Sequence, residues 1–152
     1  MYTATLAAHS WLRWGALALG VLATLAAFRD RSEAGRPGPA DWWGLAFMIV
    51  LDVQMLLGLL LYLAVSPNME AIRTHFGAAL HDPALRFWAV EHIGAMLGAV
   101  ALVHIGRTVA SRGGTTAGRR RWLLACFALA TMAMFVATPW PGTLNGRPLF
   151  RI

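Results

Sequence analysis

The chain has 152 residues, of which 58% are hydrophobic and 13% charged, against a charged share of about 25% in a typical soluble domain. All 13 basic residues are arginine and the net charge is +6; the arginines cluster beside hydrophobic runs, which favours contact with anionic lipid and argues against a nucleic-acid footprint. One cysteine, Cys126, excludes an intrachain disulfide and any paired-cysteine redox or zinc motif.

Four apolar runs, at about 5–28, 44–65, 86–106 and 122–138, predict an all-α integral membrane four-helix bundle forming one domain over 1–152. The first three runs have about 20 residues or more, enough to cross a hydrocarbon core of ~30 Å at 1.5 Å per residue. The fourth has about 17, at the short end of the spanning range. Span one lacks a basic leader and carries His9 and Arg13 in its first half, so it is expected to remain as a span rather than act as a signal peptide.

Between spans two and three, Ser66–Pro67–Asn68 has the form of a helix start, a capping side chain followed by proline in the first turn. Met69, Ile72, Phe76 and Leu80 then recur at helical spacing, predicting a short amphipathic helix on the outer surface. Asp82–Pro83 repeats the start signal and opens span three, and Ser111–Gly118 reads as a flexible turn. Span four lies between Arg119–Arg120–Arg121–Trp122 and Pro139–Trp140–Pro141–Gly142.

Arginine counting gives an orientation. Arg29, Arg31, Arg36, Arg107, Arg112, Arg119, Arg120 and Arg121 fall on one side, and Arg73, Arg86, Arg147 and Arg151 on the other. The richer side is expected to be cytoplasmic, which puts both termini and the 66–85 loop outside. Trp42, Trp43, Trp122 and Trp140 stand at span ends, where indole rings favour the interface.

An ionisable group inside a membrane is costly and is a functional candidate by default. Span one has His9 and Arg13; span two has Asp52, Gln54 and Tyr62; span three has Glu91, His92 and His104; span four has no charged or histidine side chain. The chemistry is therefore expected in spans one to three. Counting roughly 1.5 Å per residue, His9, Arg13, Glu91, His92 and Tyr62 reach one level in the outer half of the bilayer. Ala16, Gly20, Ala23 and Ala27 continue the face of His9 and Arg13, and Gly94 and Gly98 repeat the spacing on span three, both suited to close helix contact. His9 and His92 are candidate axial ligands for a haem iron, with Arg13 placed for a propionate and Glu91 to orient a ligand or balance Arg13. The plainer reading is a Glu91–Arg13 pair neutralised between helices, and a quinone or metal site is a further alternative. His104, about 120° around the helix from His92, reads as an interfacial residue or as part of a second site with Asp52. His75 and His81 lie on the outer loop without standard metal-ligand spacing.

The segments His9–Ser10–Trp11–Leu12–Arg13–Trp14, Asp52–Val53–Gln54, Gly58 through Tyr62, Phe76–Gly77, Arg86 through His92, His104–Ile105–Gly106–Arg107 and Pro139–Trp140–Pro141 together resemble a family of short bacterial four-helix membrane proteins labelled cytochrome b or cytochrome b561-like. The resemblance covers nearly the whole chain. It implies a multi-pass protein of the bacterial cytoplasmic membrane that carries electrons through haem b, with His9 and His92 as the ligands carried over. Four-helix b-type cytochromes often stack two haems; here His104 has no partner histidine in the membrane, so one haem is expected. The expected function is electron transfer between a quinol or membrane dehydrogenase and a redox partner at the outer face, and not a stand-alone enzyme. The alternatives are a cofactor-free accessory subunit of a larger respiratory or photosynthetic complex, and a quinone-binding protein using His9, Arg13, Glu91 and Tyr62.

Overall fold

Alanine- and leucine-rich runs favour helix, and glycine and proline punctuate them. The computed structural model describes residues 1–32, 36–112 and 115–150 and contains no strand among them. Arg151, counted above for orientation, and the middle of the Ser111–Gly118 turn lie outside the described residues. The long helices are α1 (Tyr2–Arg29), α2 (Pro39–Leu60), α6 (His92–Ser111) and α7 (Thr116–Val136); α3 (Pro67–Thr74), α4 (Phe76–His81) and α5 (Pro83–Arg86) connect α2 to α6. A π-helical turn at Leu61–Val65 extends α2, and another at Phe87–Glu91 joins α5 to α6.

Among the described residues three helices are long and apolar enough to cross a membrane: Tyr2–Arg29, Pro39–Val65 and Pro83–Ser111. They contain the first three predicted runs. α7 covers most of the fourth but is not among the three; Arg119, Arg120 and Arg121 occupy its first turns. The two start signals hold as caps. Ser66 Oγ accepts from Met69 N, and Asp82 Oδ1 accepts from Ala84 N at 2.8 Å and Leu85 N at 3.0 Å.

α1 packs on α2 and α7, and α6 packs on α7 and α2. The small-residue stripe expected on α1 is the contact face: Ala16, Ala23 and Ala27 are fully buried, and a Cβ on Gly20 would stand 2.6 Å from Thr131 Oγ1. Phe47 of α2 meets Phe127 of α7 edge to face, with ring centroids 6.1 Å apart. Gly94 and Gly98 do not fill the corresponding role on α6, because a Cβ at either would meet nothing within 4 Å.

At the end of the bundle where α1 gives way to α2, Arg119 bridges Asp30 and Asp41, and Arg107 Nη1 donates to Asp41 O at 2.9 Å. Burial disfavours charge on Asp30, but hydrogen bonds from Ser32 and Arg119 outweigh it and lower its pKa below the ordinary value. Burial likewise opposes charge on Arg119, and the two carboxylates more than offset it, raising its pKa.

At the opposite end, the predicted amphipathic helix is two helices. The backbone leaves helical geometry at His75 (φ −118°, ψ 43°), which rotates the following residues. Met69 and Ile72 are buried as expected, but Ala79 takes the next inward position and Phe76 is exposed. α3 lies at the surface with Asn68, Glu70 and Thr74 exposed, and packs its apolar face against both π-helical turns.

Candidate functional site

The two π-helical turns are tied to each other: Tyr62 Oη donates to Ala89 O at 2.7 Å. A π turn disturbs the regular i→i−4 ladder and recurs at functional sites, and here its carbonyls recruit side-chain donors. Arg73 Nη1, on α3, donates to Tyr62 O at 2.7 Å and also to Leu63 O. These bonds fix the rim of a cavity of about 890 Å³, within the usual range for cofactor and ligand sites. Its walls come from α1, α2 and α6, and its roof from α3, α4 and the segment Thr138–Pro148.

His9 and His92 both line this cavity. His92 Nδ1 lies 2.9 Å from Ala137 O. A carbonyl only accepts, so Nδ1 carries the proton and Nε2 keeps its lone pair. Ala137 is the C-cap of α7, where carbonyls lack helical partners. The helix expected to contribute only packing thus orients the histidine. The His92 ring is flanked by Phe87 and Trp88, with centroids 5.8 Å and 5.7 Å away.

His9 projects from α1 toward Gly58 of α2, where a Cβ would stand 3.1 Å from His9 Cε1. Glycine is what leaves room for the imidazole. His9 Nδ1 is buried with no hydrogen-bond partner among the described residues, as is Gln54 Oε1. Gln54 Nε2 donates to His9 O at 2.9 Å, which fixes the height of α1 against α2.

Arg13 also lines the cavity and donates from Nη2 to Leu149 O at 2.9 Å; Trp14 Nε1 donates to the same oxygen at 3.1 Å. Phe150 lies against Trp11 and Trp14, and the Arg147 guanidinium sits 5.2 Å above the Trp88 ring. The segment after α7 thereby latches onto α1 and closes the cavity.

The structure brings His9, His92, Arg13 and Tyr62 together and leaves Glu91 out. Glu91 is exposed, lies outside the cavity lining and pairs with Arg86 at 2.7 Å instead of meeting Arg13. Successive residues on a helix point about 100° apart, so Glu91 and its neighbour His92 do not share a target. Tyr62 spends its hydroxyl on Ala89 O. His75 lines the roof, and His81 is not among the lining residues. His104 meets Asp52, Nε2 to Oδ2 at 3.5 Å, away from the cavity. Among the described residues no three His, Cys, Asp or Glu side chains cluster to hold a metal ion.

Sequence reasoning missed Gly58, Ala137 and Leu149. Two of these act through main-chain carbonyls, which carry no residue signature. The available signal for Ala137 was Pro139, which disfavours helix at the residue before it and strands the last carbonyls of α7. No protein-family model, curated protein or solved structure matches the chain.

Proposed function

We propose that the chain is a b-type cytochrome-like electron-transfer protein of a bacterial cytoplasmic membrane, holding one haem b between α1 and α6 with His9 and His92 as axial ligands. The observation that carries this reading is the pair of imidazoles in one cavity, placed by different helices. One has its Nδ1 anchored to a carbonyl, and the other has a buried Nδ1 without a partner. Haem ligation asks for two protein donors and not for three, and a carbonyl-anchored histidine is the usual way a ligand's orientation is fixed. Arg13, which donates to Leu149 O, and Arg147, over the Trp88 ring, line the cavity and would supply positive charge near two propionates. When bound, the haem supplies one-electron redox chemistry. The chain's own part is to orient the imidazoles, to shield the site with Met55, Leu59 and Met96, and to exclude water with the roof and the latch.

In this reading all four long helices cross the bilayer, α7 as the fourth with Leu129, Met132, Phe135 and Val136 exposed along it. The arginine-rich end faces the cytoplasm and the cavity lies in the outer half of the bilayer, beneath its roof. A quinol or membrane dehydrogenase supplies electrons, and a redox partner outside accepts them. A second reading keeps the cavity and changes its occupant. The unpartnered His9 Nδ1 and Gln54 Oε1 offer complementary contacts to a quinone or quinol headgroup without haem.

The purified chain is expected to give a reduced-minus-oxidised difference spectrum with b-type bands and about one haem per chain by pyridine haemochrome. The bands should be lost in His9→Ala and His92→Ala variants that keep wild-type helicity and monodispersity. A folded, colourless preparation overturns the haem assignment. Quinone extracted from such a preparation supports the second reading, and co-purification with a large complex supports an accessory subunit. A reporter fused after Ile152 that is active only in the cytoplasm overturns the orientation.

A further inference from the structure

The Asp52–His104 pair takes no part in the cavity. Asp52 stands midway along Pro39–Val65, and His104 about two turns before the end of Pro83–Ser111. Their side chains are 39% and 46% exposed. On helices that cross a membrane, exposure at this depth is exposure to hydrocarbon. Lipid offers neither hydrogen bonds nor screening, and ionisable groups so placed as a rule face protein or water.

The chain does not complete their bonding. His104 Nδ1 is committed to Val100 O at 3.0 Å. The Nε2–Oδ2 separation of 3.5 Å exceeds good hydrogen-bond length, and Asp52 accepts no hydrogen bond among the described residues. Around the pair the surface is apolar: Leu56 is one turn along α2, Leu97 is two turns back along α6, and both are at least half exposed. Next to this strip Gly94 and Gly98 leave the α6 backbone bare.

We propose that this α2–α6 face is the contact between two copies of the chain, related by a twofold axis along the membrane normal beside Asp52 and His104. Charge complementarity selects a second copy as the partner. An acid and a base lie side by side at one depth on adjacent helices. A half-turn about the normal sets the acid of each copy opposite the base of the other, as an isologous contact requires. The surface carries no excess of one sign that calls for a different partner, and the bare glycines allow close backbone approach. The inference rests on the membrane reading of α2 and α6 and is independent of what the cavity holds.

The test uses the full chain in lipid nanodiscs and in native membranes, with Cys126→Ala as background. Leu97→Cys and Ala101→Cys are expected to form disulfide-linked dimers under mild oxidation, and Leu129→Cys on α7 is not. Asp52→Asn combined with His104→Gln should weaken dimerisation by roughly tenfold, read by energy transfer between labelled copies. Gly98→Leu, whose Cβ meets open space within its own copy, should abolish the dimer while leaving helicity and the unfolding midpoint of the isolated copy unimpaired. Monomers throughout, equal crosslinking at Leu129, or crosslinks that run only to a different membrane protein would each overturn the proposal. The cofactor content of the same preparations reports on the cavity separately.

Discussion

At the scale of single residues, the arginines have two roles, of which the sequence displays one. Arg119 counts among the eight arginines from which an orientation is expected, but it is also the bridge between Asp30 and Asp41. Asp30 is 4% exposed, so removing its charged partner strands a buried carboxylate. Arg119→Gln is expected to cost about 3–5 kcal/mol, read as a lower unfolding temperature in detergent. The pH dependence follows from the direction of the Asp30 shift. A depressed folded pKa contributes stability that is complete above the unfolded value of about 3.9 and is lost as pH falls through the lower folded value. Wild type should therefore lose stability more steeply than Asp30→Asn in that acid window, by differential unfolding between pH 5 and 2. Residue counting also had a clear limit at the cavity. Depth along a helix is a matter of arithmetic, and it brought His9, Arg13 and His92 to one level. Direction around the axis is less forgiving, and it turned Glu91 away to Arg86.

At the scale of elements, the long helices were legible because apolar length and proline or glycine boundaries dictate them. The irregular turns were not. Nothing in Leu61–Val65 or Phe87–Glu91 marks a π-helical turn, and the bond that joins the two turns, Tyr62 Oη to Ala89 O, is a tertiary contact. The contact faces were half legible. Small residues at helical spacing look alike in sequence whether they touch a neighbour or open space, and only the packing separates them. Gly106 of α6 would carry a Cβ 2.6 Å from Cys126 Cβ, whereas Gly98 would meet nothing. Gly106→Ala is expected to destabilise the α6–α7 contact by about 1–3 kcal/mol, since neither backbone has a flexible side-chain end to move aside. Gly98→Ala should leave the unfolding midpoint of the isolated copy unchanged. Equal midpoints for the two variants would contradict the packing described.

At the scale of the whole molecule, the four long helices divide the work differently from their side-chain chemistry. Spans one to three carry the polar residues, as the sequence indicates. α7 supplies the carbonyl that orients His92, and the segment after it closes the cavity. That closure predicts a specific electronic effect under the haem reading. Truncation after Pro141 removes Arg147 and the Leu149 carbonyl while sparing the His92–Ala137 contact. The spectrum should persist, but the midpoint potential should fall, because water and loss of a nearby cation both favour the oxidised, more positive state. Redox titration of the truncated and full chains checks this, and an unchanged potential would show that the latch does not control solvent access.

The latch also has a consequence in time. Arg13 meets a carbonyl 136 residues further along the chain, and His92 meets one 45 residues on. At cellular rates of synthesis the first of these intervals lasts on the order of ten seconds. During that interval the opening helix is already made while the oxygen that will hold its arginine has not been translated. The latch can therefore form only after Leu149 has been translated, later than the cavity walls that α1, α2 and α6 supply.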